Sequence, residues 1–184
     1  MKQRGVASVV ADASSMRSVE VGMVGREGVT GLGGVMGVSR SPYDTFMQVG
    51  GAGRRMPIEA LRDAMNESST LRNCVLHYAY AFSVQVAQSS LANARSKLED
   101  RLARWLLLVH DRIDGDEVRL THEFLATMLG VRRAGVSVAM KALESIGLVE
   151  MRRGLICILD RDGLIEHSNG AYGAAEAEML NFEY

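Results

Sequence analysis

Cysteine is scarce: Cys74 and Cys157 are the only two in 184 residues, far apart and without metal-type pairing. No disulfide framework is therefore expected, and a reducing cytosol is the expected setting. No run approaches the roughly 18 apolar residues of a membrane span, and Met1-Lys2-Gln3-Arg4-Gly5 lacks the continuous apolar segment of a signal peptide. These absences predict a soluble cytoplasmic protein with no membrane partner. An excess of one charge is also missing. With a net charge of −1 there is no global attraction to nucleic acid, so any such contact must come from a local patch.

Catalytic signatures are lacking as well. The four histidines (His77, His110, His122, His167) are dispersed, no nucleophile elbow or phosphate-loop spacing occurs, and the glycine-rich stretch from Gly25 to Gly37 has no lysine to grip phosphate. The chain is expected not to be an enzyme. Cys74 and His77 fall one helical turn apart, but two ligands are too few for a closed metal site. No cysteine cluster suits an iron–sulfur centre. The expected cofactor complement is none.

What is present suffices for a real core: 47% of the residues are hydrophobic. The first 57 residues are glycine-rich and read as strands. Val6–Val10 and Val19–Val24 form a hairpin about the polar turn Asp12–Arg17, Thr45–Val49 is a third strand, and Arg54–Met56 before Pro57 is a fourth. Six glycines between Gly25 and Gly37 argue against a helix interior there. Ile58–Met65 is a short helix stopped at Asn66–Ser69. From Thr70 to Ala94 there is neither proline nor glycine, so one long helix is predicted. Val75, Ala79, Phe82, Val86 and Ser90 recur along it at spacings of three and four. Such a seam suits a helix from a second copy, the alternative being the chain's own N-terminal sheet.

The C-terminal part carries the sharpest signal. After a helix from Lys97 to Arg112, Thr121–Val136 reads as two short helices hinged at Gly130. Leu125, Met128 and Leu129 would bury the first; Val136, Met140 and Leu143 would bury the second. Arg132, Arg133, Ser137 and Lys141 remain outward on one face, as reading the major groove of double-stranded DNA requires. Leu148–Met151 and Leu155–Leu159 flank an Arg-Arg-Gly tip, forming a hairpin wing. From Gly130 to Leu159 there are five basic residues against two acidic, a local excess of three positive charges. A final helix runs from Asp162 to about His167. The fold class expected is α+β: strands over residues 1–69, a long dimerisation helix over 70–96, a winged helix-turn-helix over 97–170, and a tail over 171–184.

Strands, a long helix and a winged helix-turn-helix in this order resemble the Crp/Fnr superfamily of bacterial transcription regulators. The residues that carry the resemblance are Glu99–Leu107, Leu120–Ala126, Leu129–Val136 and Leu143–Val149. Glu20–Gly28 with Arg40-Ser41 is similar to the later part of that family's effector domain. The resemblance implies a homodimer that binds a palindromic site through a recognition helix at about 132–145. It assigns Arg133, with Ala134, Ser137 and Val138, to base contacts, and Thr121, His122, Arg132, Lys141 and Arg153 to phosphates. It also implies RNA polymerase as a partner. Ala134 and Val138 stand where relatives carry an acidic residue and a second arginine; both offer methyl groups, which suit thymine. Arg40 and Ser41 are the effector-binding candidates. Val29-Thr30 or Gly31-Leu32 stands where a ribose-binding acid is expected, which leaves a cyclic nucleotide without its best contact and the effector unknown. The resemblance makes residues 1–69 a partial, jelly-roll-like β-roll, with four or five strands where the family uses about eight. This leaves a second reading, a dimerisation module with a degenerate sensor that does not bind DNA productively alone.

Overall fold

The computed structural model describes residues 5–12 and 18–180. The N-terminal sheet has three antiparallel strands in the order β2-β1-β3: β1 Val6–Asp12, β2 Ser18–Val24 and β3 Tyr43–Val49. The hairpin predicted from Val6 to Val24 forms; residues 13–17 of its expected turn lie outside the described residues. Alternation along the central strand sends side chains to two different covers, which is why β1 is buried on both faces. Ala7 and Val9, with Val21 and Val24 from β2, pack against Phe82. Val6, Val10 and Met23 join the core of the C-terminal helices instead. Gly22 makes the first contact possible, because a Cβ there would lie 2.6 Å from the Phe82 ring.

Two expectations for this region are corrected. Arg54–Met56 is not a strand; Gly50, Gly51 and Gly53 precede it and Pro57 follows, so it has neither stiffness nor a full set of donors to pair. The glycine-rich stretch does contain a helical turn, α1 Leu32–Val35. Arg62 makes it tenable by donating from Nε and Nη2 to Gly34 O at 3.0 and 2.6 Å. Arg62 belongs to α2, Ile58–Glu67.

The long helix α3 spans Ser69–Arg95, and Ser68 Oγ caps it by accepting from Leu71 N at 3.2 Å. Its predicted pairing seam turns inward. Val75 and Ala79 are buried within the chain, Phe82 packs on the N-terminal sheet, and Val86 lies half-buried beside it; Ser90 alone of the five is exposed. A spacing of three and four rewards any apolar cover, and the cover here is the protein's own sheet. Leu76, Tyr80 and Leu91 face solvent instead, at 48%, 60% and 55% exposure.

Helix α4, Leu98–His110, is buried all round from Leu102 to Val109 because the sheet, α3 and later helices enclose it. It is followed by β4 Glu117–Val118, α5 His122–Leu129, α6 Arg133–Ser145, β5 Val149–Arg152, β6 Leu155–Ile158 and α7 Arg161–His167. The second sheet has the order β4-β6-β5. Residues 171–180 are not all tail: α8, Ala174–Leu180, packs on α3. Its signal was Gly173-Ala174-Ala175-Glu176, in which Glu176 Oε2 accepts from Gly173 N at 2.8 Å as a capping carboxylate does. Among the described residues no helix is long and apolar enough to cross a membrane.

Leu143 of α6 has no exposed surface and sits in the shared core. Leu143→Ala is expected to lower unfolding free energy by about 2–5 kcal/mol in urea titration. A loss below about 1 kcal/mol would mean the lobe does not rest on this packing.

Candidate nucleic-acid interface

The interface is built on the turn between α5 and α6. Thr121 Oγ1 caps α5 by accepting from Phe124 N at 3.2 Å, and Gly130 ends it with φ at 64°, in the left-handed region. Gly130 N donates to Thr127 O at 3.1 Å and Val131 N to Ala126 O at 2.9 Å, closing the helix end. Val131 then packs on the core and swings the chain into α6. Arg101 of α4 donates to Leu129 O and so pins the same end from beneath. Leu125, Met128, Leu129, Val136, Met140 and Leu143 are all buried, as their spacing predicts.

The opposite face of α6 stays open. Arg132, Arg133, Ala134, Val138 and Lys141 are exposed, and Ser137 is half-buried. Arg133 is held only loosely: its Nε lies 3.9 Å from Glu123 Oε2, and both side chains are largely in solvent. An exposed pair of this kind contributes at most about 1 kcal/mol, so the guanidinium can exchange it for a base edge. His122 Nδ1 and Ser137 Oγ lie 3.0 Å apart, joining the two helices across their outer seam. The wing tip places Arg152 and Arg153 in solvent, with Gly154 at φ 71°. Arg152 forks onto Glu150 at 3.1 and 2.9 Å, while Arg153 occupies the tip itself.

Sequence reasoning missed the residue that sets the wing. Glu144, near the end of α6, accepts from Met151 N at 2.9 Å and ties the wing to the second helix. Between the wing and the helix starts runs a groove of about 550 Å³, bordered by Thr121, His122, Glu123, Arg133, Arg152 and Gly154. The structure thus gathers Thr121, His122 and Arg133 along one rim, with the exposed α6 residues and the wing beside it. A helix edge and a cationic hairpin flanking a groove can straddle a phosphate backbone while the helix enters the major groove.

Residues 100–167 match the model of the Crp-like helix-turn-helix domain. Over those residues the lobe is similar to that domain. The Crp-like domain covers α4 through α7, so the match includes the buried helix beneath the turn as well as the turn and wing. No curated protein sequence matches the chain. Solved structures share the fold around the Crp-like domain. A CRP-family transcriptional regulator from Thermus thermophilus superposes with a TM-score of 0.73 at 18% identity, over 94% of this chain and 91% of that one. A crp/fnr-family regulator from Eubacterium rectale gives 0.70 at 18% identity, over 92% and 81%. FixK2 from Bradyrhizobium japonicum gives 0.64 at 15%, over 90% and 87%. The chain therefore shares the fold of these Crp/Fnr-type structures, with a Crp-like helix-turn-helix domain over residues 100–167.

The effector candidates do not converge. Ser41 Oγ closes a local turn with Tyr43 N and Tyr43 O, both at 3.1 Å. It touches the rim of an apolar groove of about 360 Å³ between the N-terminal sheet and α3, walled by Val9, Val21, Ala79, Phe82 and Val86. Arg40 is exposed and does not line that groove. Among the described residues no three His, Cys, Asp or Glu side chains gather in a metal-holding group.

Proposed function

We propose that the protein is a sequence-specific DNA-binding transcription regulator that acts as a homodimer on a palindromic site. The observation that carries this reading is the exposed cationic edge of α6, raised on a buried core and flanked by a basic wing tip. Arg133 reads guanine O6 and N7 with both arms of its fork, and Ala134 and Val138 lie against thymine methyls. Ser137 joins the base-contacting set, oriented by His122. Thr121, His122, Arg132, Lys141 and Arg153 take phosphates, which fix register without reading sequence.

Two copies pair along the outer face of α3. Leu76, Tyr80, Ser83, Ala87, Ser90 and Ala94 are exposed and separated by steps of four and three, a heptad seam with small residues at its far end. Of the seam predicted from sequence only Ser90 belongs to this set. Such a pairing presents two recognition helices to successive major grooves, roughly 34 Å apart.

Selecting bound duplexes from a random-sequence pool tests the reading directly. The expected product is an inverted repeat with half-sites about one helical turn apart, whose affinity falls roughly 10³- to 10⁵-fold between 50 and 200 mM salt if six to ten phosphates are contacted. A dimer that enriches no sequence would instead support the degenerate-sensor reading.

A further inference from the structure

A second cleft, apart from the DNA-binding face, opens at one end of the N-terminal sheet. Its volume is about 930 Å³, within the roughly 300–1,000 Å³ of small-molecule sites. The floor is apolar. Ala7 and Val24 come from the sheet, Leu32 from α1, Ile58 and Leu61 from α2, and Val75 from α3. At the rim Met47 and Met56 are each 53% exposed. Large apolar side chains left in water beside a hollow gain from being covered, and methionine adapts to what covers it.

Three arginines stand over this floor: Arg26, Arg54 and Arg55. The register of the sheet brings them together. Val24 of β2 lies opposite Ala7 and Val49 of β3 opposite Val6, so both edge strands leave the sheet at the same end. Arg26 follows the one strand and Arg54-Arg55 the other. All three are exposed, and among the described residues none of them is ion-paired. Glu27, next to Arg26 in sequence, is already committed: its Oε1 lies 2.7 Å from Arg112 Nε and accepts from Gly25 N at 3.0 Å. Among the described residues no Asp or Glu lines the cleft, so its charge is positive and unbalanced.

The rest of the lining decides what an incoming anion is attached to. It holds no aromatic side chain on which a base could stack, and Thr30 has its only uncharged polar side chain. A sugar or nucleotide would leave hydroxyls facing methyl groups. A second copy seated here about a two-fold axis would set arginine against arginine. The neighbouring groove on α3, which Ser41 borders, shares Val29 to Leu32 with this cleft but has no charged side chain in its lining.

We propose that this cleft binds an amphiphilic anion, a carboxylate or phosphate head on an apolar chain. Guanidinium forks pair bidentately with either head, and the chain lies along the apolar floor. This site goes beyond the DNA-binding reading and does not depend on it.

The full-length protein is titrated calorimetrically with octyl phosphate, decyl phosphate and decanoate, each below its micelle-forming concentration. Saturable one-to-one binding is expected, about 15-fold tighter for decyl than for octyl phosphate because two more methylenes leave water. Decyltrimethylammonium, with the same chain and the opposite charge, is expected not to bind. Combining Arg26→Gln, Arg54→Gln and Arg55→Gln removes cations from exposed positions only, so circular dichroism should be unchanged. Affinity for both kinds of anion should then fall at least about tenfold. A triple variant that binds decyl phosphate like the wild type overturns the proposal. So does equal binding of decyltrimethylammonium, which would mean adsorption of any chain, and so does a protein that binds neither anion. Sedimentation with phosphatidylglycerol vesicles without binding of the monomeric amphiphiles also overturns it, and assigns the arginines to a membrane surface instead.

Discussion

Replacing Arg133 by alanine is expected to abolish discrimination at one base pair of each half-site while leaving the protein folded. The side chain is exposed at the start of α6 and its one ionic contact, to Glu123, is long and solvated, so removing it leaves no buried group unpaired. A bidentate arginine–guanine contact contributes about 1–3 kcal/mol of discrimination, or roughly 5- to 150-fold between guanine and another base at that position. Binding to random duplex should change little beyond the loss of one positive charge. Arg153→Ala provides the contrast. In the proposed reading it takes a phosphate from the wing tip, so its loss should weaken all sequences alike and reduce the salt slope by about one unit. Competition titrations with matched and substituted duplexes separate the two. If Arg133→Ala lowers specific and random binding equally, Arg133 is a backbone contact and base readout lies elsewhere on α6.

The helix-turn-helix was legible in the sequence because everything that makes it is local. Gly130 supplies the one left-handed residue, Thr121 the cap, and two short periodic runs the core face. Neighbours in sequence are neighbours in space, so spacing alone determines which residues point out. The long helix was legible as a helix for the same reason, since nothing between Ser69 and Arg95 breaks it. Its orientation was not. Val75, Ala79 and Phe82 advertise an apolar stripe, but a stripe does not reveal whether a partner or the chain's own sheet covers it. Glu20 is the sharper case. The pattern Val19-Glu20-Val21-Gly22 does not reveal that Glu20 is buried, because the sheet is covered on both faces and the second cover, Trp105, lies 85 residues further along the chain. The effector candidates show a similar gap: adjacency of Arg40 and Ser41 says nothing about whether both turn into one groove, and of the two only Ser41 borders the groove on α3.

The heptad on the outer face of α3 makes the largest single prediction. In the proposed pairing, Leu76→Glu combined with Tyr80→Glu places two carboxylates on each copy where like residues would meet across a two-fold axis, so four charges would have to be desolvated together in the dimer. In the isolated chain both positions face water, and the fold should survive with unchanged circular dichroism. Light scattering is then expected to give the monomer mass. Affinity for the inverted repeat should fall by at least about 100-fold, because each lobe must now find its half-site without the effective concentration that a tethered partner provides. Binding to a single half-site should be nearly unaltered, since the α6 face is untouched. A variant that stays dimeric would place the contact between copies away from this seam. One that becomes monomeric yet binds the full repeat undiminished would show that the two lobes do not act together on DNA.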